Sequence, residues 1–244
     1  QYSRQENGAP VFLTSFKSGL KYDILLPVNT NTEIIGLLVK PAKEVKDNKL
    51  VTQASLALPF KGKWYTFWGG TREEDNYHVV DRAQKHAFDF VIRDENANKS
   101  FSGTGTKNED YYAFGKDILS ASDGEVIMVV DGIYDNKPGL MNPIYTPGNT
   151  VVIKAAENEY HFYAHFKKNT ISVKEGQRVK QGELLGKCGN SGNSSEPHLH
   201  FHIQDTPYMQ DGEGIKSIFK QILVNSAEKV DYSPIRGDIV SNKN

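Results

Sequence analysis

The sequence predicts a mostly β protein, a compact β-sandwich or barrel-sandwich with a small N-terminal β appendage. Three observations indicate this class. Short segments rich in β-branched and aromatic residues recur along the 244-residue chain, glycine, proline, asparagine or aspartate bounds each of them, and helical periodicity is nearly absent. A chain of this length is long enough to bury a large core.

The strand segments fall into three stretches of chain that we expect to be distinct parts of the fold. Residues 1–60 are the predicted N-terminal appendage, with strands expected at 11–16, 22–26, 34–39 and 51–58. Residues 61–210 are the main domain, with strands expected at 64–68, 87–92, 124–131, 150–154, 160–166, 184–188 and 199–204. Residues 211–244 are a C-terminal extension packed on the main domain, in which 215–224 is either a short helix or another strand.

Two long inserts, residues 94–116 and 132–149, are rich in glycine and asparagine and contain no strong strand pattern. They are either plain surface loops or the walls of a substrate groove, because long loops on a rigid β scaffold often carry binding residues.

Composition excludes several classes of protein. The 29 lysine and arginine residues balance 30 aspartate and glutamate residues without a long block of one sign, so nothing indicates a nucleic-acid or anionic-membrane partner. No stretch approaches the roughly 18 apolar residues of a membrane span. The chain begins at Gln1 without a signal-like apolar region, so we expect that a leader was removed or the chain trimmed.

The single cysteine, Cys188, excludes an intrachain disulfide and a multi-cysteine metal cluster, and we expect it to be buried as a small apolar residue.

The most informative motif is His198-Leu199-His200, which follows a loop rich in glycine, asparagine and serine at residues 189–195. In a β-strand the two histidines emerge on one face, about 6.5–7 Å apart. Imidazole is the commonest protein metal ligand and also transfers protons near neutral pH. One histidine can therefore hold a metal while the other stands beside it.

A carboxylate lies in an otherwise apolar strand upstream. Alternation places Phe88 and Phe90 on one face and Asp89 on the other. Burying an unpaired carboxylate destabilises the folded state by roughly several kcal/mol. Asp89 therefore needs a metal, a hydrogen-bond donor or a cationic partner. A structural salt bridge is the alternative to a metal site.

A second histidine-bearing strand is predicted at residues 160–166. Alternation predicts that His161, Tyr163 and His165 share one face. His161 and His165 are about 13 Å apart along the strand, so both cannot serve one compact site and one is spare. His202 continues the face of the His-x-His pair, and we expect it to be a solvated or packed histidine.

Together these segments resemble a known family. Asp89-Phe90, Tyr163-Ala164-His165, residues 173–186 and Gly189-Asn-Ser-Gly-Asn-Ser-Ser-Glu-Pro-His-Leu-His-Phe201 resemble the lysostaphin-like (LytM-type) zinc metallopeptidases, whose fold is called the duplicated hybrid motif. The resemblance covers about residues 78–204. It implies that Asp89 and His200 bind zinc, and that His165 and His198 assist catalysis.

The third zinc ligand is where this chain departs from the family pattern. The family usually has H-x-x-x-D, but position 85 is lysine. His86 points the wrong way in a regular strand and needs a bulge to swing back. We therefore predict that His78, from a preceding strand or loop, is the third metal ligand, with His86 as the alternative.

The resemblance implies a zinc-dependent endopeptidase that hydrolyses peptide bonds of bacterial peptidoglycan, secreted to the cell envelope or beyond. Two nitrogen ligands and one oxygen ligand leave zinc an open position for water. Two rivals remain open. One is a catalytically inactive family member that binds cell wall or regulates a hydrolase. The other is a sugar-phosphotransferase domain with a two-histidine phosphate relay, which does not require Asp89. Oligomeric state is left open.

Overall fold

A computed structural model describes residues 3–6, 9–15, 21–27, 29, 33–41, 50–94, 98–209 and 212–243. The chain divides into two compact units, residues 1–45 and 46–244. The first unit contains a four-stranded antiparallel sheet in the order β1-β2-β3-β4, with β1 Ser3–Glu6, β2 Ala9–Ser15, β3 Lys21–Leu25 and β4 Leu38–Pro41. The three-part division expected at residues 60 and 210 stays a prediction.

The regular secondary structure of the second unit consists almost entirely of β-strands. In chain order they are β5 Trp64–Trp68, β6 Phe88–Val91, β7 Asp117–Leu119, β8 Gly124–Val130, β9 Asn149–Ala156, β10 Glu159–Phe166, β11 Arg178–Val179, β12 Leu184–Lys187, β13 Leu199–Gln204, β14 Gly214–Ile215, β15 Phe219–Val224, β16 Ala227–Tyr232 and β17 Ile239–Asn242. Two short 3-10 helices, Tyr77–Val80 and Asn108–Asp110, interrupt them.

One large antiparallel sheet organises this unit. Its strands follow the order β11-β8-β9-β10-β13-β6-β5-β17-β15-β16, and β14 pairs with β13, while β7 and β12 form a separate pair. The predicted mostly β class is therefore confirmed. Within the described ranges, no helix has the length and apolar character needed to cross a membrane.

Two strand expectations need correction. Residues 51–58 contain only isolated bridges at Val51 and Leu56. The backbone N–H groups of Gln53 and Ala54 donate to the carboxylate of Glu159 instead of a neighbouring strand. The segment 34–39 forms a strand only from Leu38 onward.

The alternatives left open for residues 215–224 resolve in favour of a strand, β15. Sequence analysis missed β16, whose residues are mostly exposed and polar. It also missed the short or weakly patterned strands β1, β7, β11, β14 and β17.

Two adjacent strands, β6 and β13, turn apolar side chains to the core and polar side chains to the opposite face of the sheet. In β6 and β13, Phe90 lies opposite Leu199 and Phe88 lies opposite Phe201, and all four side chains are buried in one hydrophobic cluster. The residues between them, Asp89 and His200, lie opposite each other and point to the other face of the sheet. Cys188 is buried in the same cluster, as expected.

Candidate metal centre

Asp89 and His200 form the centre of a buried polar cluster. Their side chains are 6% and 4% exposed, and Nδ1 of His200 lies 2.9 Å from Oδ1 of Asp89. The antiparallel register puts both on the same face of the sheet, as β-strand alternation requires. The carboxylate predicted to need a partner therefore has one.

His78 completes a group of three. It lies in the 3-10 helix Tyr77–Val80, and its Nε2 is 3.7 Å from Oδ2 of Asp89. One ligand atom from each of His78, Asp89 and His200 lies within 4.8 Å of the other two, and all three residues are buried. The structure thus brings together the three residues predicted to bind the metal.

The neighbouring Asn76 determines which nitrogen of His78 is protonated. The Asn76 amide donates from Nδ2 to the backbone oxygens of Gly70 and Ala87, so its Oδ1 must face His78. Nδ1–H of His78 donates to that oxygen over 2.8 Å. Burial, reinforced by the neighbouring imidazoles, lowers the pKa of His78 to about 4 against the opposing effect of Asp89. A neutral His78 consequently directs an unprotonated Nε2 towards Asp89.

A chain of three side chains determines the tautomer of His200 in the same way. Gln204 donates from Nε2 to the backbone oxygens of Thr206 and Tyr208, so its Oε1 accepts a hydrogen bond from Nε2–H of His202, 3.1 Å away. Burial lowers the pKa of His202 well below its usual range, so its Nδ1 is an acceptor. Nε2–H of His200 donates to that Nδ1 over 3.0 Å.

The consequence is that a neutral His200 directs the lone pair of Nδ1 at Asp89. Burial alone would raise the pKa of Asp89, but the neighbouring His78, His198 and His200 more than offset this and hold it well below the usual range. A lone pair and a carboxylate oxygen 2.9 Å apart repel each other unless a cation lies beside them, either a proton or a metal ion. The donor set, two imidazole nitrogens and one carboxylate oxygen, is the type that zinc prefers.

His165 reaches the same centre through a break in its strand. Alternation would leave it on the core side with Tyr163, which is fully buried. The backbone of His165 has a φ of +63°, and the pairing of β10 with β9 shifts register between Tyr163 and Phe166. This bulge turns the imidazole to the metal face, so the expectation that His165 shares a face with His161 and Tyr163 was wrong.

His198, immediately before β13, lies beside His165. The two ring centroids are 4.7 Å apart, and Nε2 of His198 is 3.6 Å from Oδ1 of Asp89. Nδ1–H of His198 donates to the backbone oxygen of Glu196, and Nδ1–H of His165 donates to that of Ser191. Carbonyl oxygens only accept, so in the neutral rings Nε2 is the unprotonated atom.

The remaining predicted histidines lie elsewhere. His86 lines a separate cavity of about 260 Å³ together with Tyr232 and Ile235. Lys85, at the position of the family's usual histidine, pairs with Glu213. His161 stays on the core side of β10, where its Nε2 contacts Glu159. Of His161 and His165, the spare one is therefore His161.

Sequence reasoning missed the residues that orient the ligands. Asn76 contacts His78, while Gln204 contacts His202, which in turn contacts His200; the sequence predicted this part for none of the three. A signal was available for two of them: positions 198, 200, 202 and 204 alternate along one strand, and all are polar in an otherwise apolar segment.

Comparison with protein families finds a match to part of the chain. Residues 106–213 match the model of peptidase family M23. The chain carries an M23 peptidase domain. The matched range contains His165, His198 and His200, whereas His78 and Asp89 precede it.

Curated relatives of the M23 domain include proteins of different described roles. The chain is 35% identical over 112 residues to the cell division protein DipM of Caulobacter vibrioides, covering 45% of this chain and 16% of DipM. It is 28% identical over 205 residues to the peptidoglycan DD-endopeptidase ShyB of Vibrio cholerae, covering 79% of this chain and 42% of ShyB. It is 30% identical over 110 residues to the murein hydrolase activator NlpD of Escherichia coli, covering 45% of this chain and 24% of NlpD. The chain thus spans less than half the length of each of these relatives.

Proposed function

We propose that the chain is a zinc-dependent endopeptidase that hydrolyses peptide bonds of bacterial peptidoglycan at the cell envelope. One observation supports the proposal above all: one ligand atom from each of His78, Asp89 and His200 lies within 4.8 Å of the other two. The contacts of His78 with Asn76 and of His200 with His202 fit tautomers that leave a nitrogen of each ring free for a metal. The name of ShyB, a peptidoglycan DD-endopeptidase, supports the substrate class.

The site supplies both parts of a hydrolytic centre. Zinc held by these three ligands would polarise the scissile carbonyl and activate a water molecule. Nε2 of His198 lies 3.6 Å from Asp89, and the ring of His165 lies beside those of His198 and His200, so either imidazole can accept a proton from the attacking water. The Nδ1–H groups that they donate to Ser191 and Glu196 fix both rings and stabilise the imidazolium that forms. A tetrahedral oxyanion beside either imidazolium would be stabilised by its charge.

Metal content and wall digestion test the proposal together. Purified protein is expected to hold about one zinc per chain, as a three-ligand site with an open position would, and to release new amino termini from purified peptidoglycan. The variant His200→Ala is expected to lose both properties. The variant His198→Ala should keep the zinc and lose turnover by about 10²–10⁴-fold, the usual contribution of a proton-transferring group. Stoichiometric zinc without new amino termini from any wall preparation would overturn the proposal.

A second candidate is favoured by the likeness to NlpD, which is named a murein hydrolase activator. In this role the M23 domain binds the wall or a partner hydrolase without cutting. Wall binding that is unaffected by His200→Ala, in a protein that releases no amino termini, would favour this candidate over the peptidase.

A further inference from the structure

A groove of about 670 Å³ leads away from the metal centre along β5 and β6. One end contains Asp89 and His198, and the other contains Arg93 and Lys99. Both long inserts contribute to its walls, the first through residues 98–101 and the second through Met141. Parts of both inserts therefore line this groove; their expected role as walls of a substrate groove stays a prediction.

The floor of the groove is set by strand alternation. Asp89, Val91 and Arg93 are separated by two positions each, and all three line the groove. Tyr65 and Phe67 of the neighbouring strand lie under the Arg93 side chain, with its Cζ 3.9 Å and 5.2 Å from their ring centroids. Stacking on aromatic rings fixes a guanidinium group at the end of the groove.

Within the described part of the chain, the hydrogen-bonding capacity of Arg93 is only partly met. Nη1 donates to Oδ1 of Asn98 over 3.1 Å. Nε is buried and has no acceptor among the residues that the structure describes, so the terminal nitrogens are the donors that a ligand in the groove can reach. Guanidinium groups bind carboxylates through two parallel N–H donors, so an arginine held in this way is suited to a carboxylate ligand.

A second cation lies beside the first. Lys99 is exposed, and a backbone hydrogen bond from the N–H of Asp94 to its carbonyl oxygen ties it to the end of the β6 segment. Glu196, the acidic residue near the metal end, receives a hydrogen bond from Ser100 and is the residue whose backbone oxygen accepts from His198. Asp89 thus lines the groove at the metal, Arg93 and Lys99 line it farther along, and the Glu196 carboxylate lies beside Ser100, next to Lys99.

We propose that Arg93 and Lys99 form a subsite that binds a carboxylate of the peptide substrate. The inference rests on the proposed peptidase function and narrows its substrate to acidic peptides, such as cross-linked stem peptides with free carboxyl groups, in place of uncharged glycine bridges. Asp89 and Arg93 are four strand positions apart, about 13 Å between α-carbons, a length that about four residues of an extended peptide span. The bound carboxylate accordingly lies within about four residues of the scissile bond.

Two matched probes test the subsite: a synthetic cross-linked dimer of stem peptides with free carboxyl groups, and the same dimer with every carboxyl group amidated. The zinc-loaded protein is expected to cleave the acid with a kcat/KM at least about tenfold higher than that of the amide, the effect of a hydrogen bond to a charged group. The variant Arg93→Gln should remove most of this preference, and Lys99→Gln a smaller part, with zinc content unchanged in both.

The control is Lys174→Gln, which removes one exposed cation outside the groove and should leave the preference intact. Calorimetric binding of both probes to chelator-treated protein gives a second measurement that does not depend on cleavage. Equal kcat/KM values for acid and amide, or a preference that survives Arg93→Gln, would overturn the subsite while the peptidase function stands. Absence of cleavage from zinc-loaded protein that still binds the acid preferentially would instead overturn the peptidase function and keep the subsite.

Discussion

Nε2 of His200 lies 3.0 Å from Nδ1 of His202, and this contact determines which nitrogen of His200 faces Asp89. The backbone oxygens of Thr206 and Tyr208 set the proton positions. Gln204 donates its amide N–H groups to these two oxygens, so its Oε1 can only accept a hydrogen bond from His202. Hydrogen bonds from neighbouring groups commonly set the orientation and basicity of metal-binding histidines. Here the supporting group is itself a histidine.

His202 is therefore expected to tune zinc affinity without touching the metal. The variant His202→Phe keeps an aromatic ring against Phe162 but removes the acceptor for His200, so zinc affinity should fall by about 10–100-fold, the usual effect of losing a supporting partner. Competition with a fluorescent chelator measures it. His202→Asn restores an acceptor and should recover part of the affinity, and Phe162→Leu serves as the packing control. Equal zinc affinity in His202→Phe and the wild type would contradict the relay.

Asn76 plays the corresponding role for His78. The variant Asn76→Ala leaves Nδ1–H of His78 and the carbonyl groups of Gly70 and Ala87 without their partner, so the free energy of unfolding should fall by about 1–3 kcal/mol, the cost of unsatisfied buried polar groups. Zinc affinity should fall with it, because His78 loses its fixed tautomer. Urea unfolding of metal-free protein and chelator competition separate the two effects. Gln84→Ala, on the exposed part of the next turn, is the control and should change neither. A variant with normal zinc affinity would show that Asn76 only supports the backbone.

The identity of the third ligand can be tested by metal content alone. His78→Ala and Asp89→Ala are expected to lose stoichiometric zinc, because each removes one of three ligands whose atoms lie within 4.8 Å of one another. His86→Ala is the matched control, since His86 lines a different cavity. Retention of zinc by His78→Ala together with its loss from His86→Ala would reverse the assignment.

Strand alternation predicted much of this arrangement and failed where the backbone is irregular. The pairing of Asp89 with His200 follows from two regular strands, each with apolar residues on the core side. The position of His78 does not, because it comes from a 3-10 turn that Asn76 ties to the backbone of Gly70 and Ala87, and such irregular backbone has no periodicity to read. The groove walls were also out of reach, since glycine- and asparagine-rich loops have no periodicity that fixes where they fold.

His165 shows the same limit most directly, and its backbone provides a further prediction. A φ of +63° is costly for any residue with a side chain, roughly 1 kcal/mol or more, and glycine adopts it freely. His165→Gly should therefore unfold at a higher urea concentration than His165→Ala, although glycine normally weakens a strand. Both variants should bind zinc, since His165 is outside the ligand group, and both should lose turnover by about 10²–10⁴-fold because the proton acceptor is gone. Urea unfolding monitored by tryptophan fluorescence, metal content and release of amino termini measure the three effects.

An alanine variant as stable as the glycine variant would mean that the left-handed turn is not retained without the imidazole. The hydrogen bond from Nδ1 of His165 to the backbone oxygen of Ser191 would then hold the bulge in place.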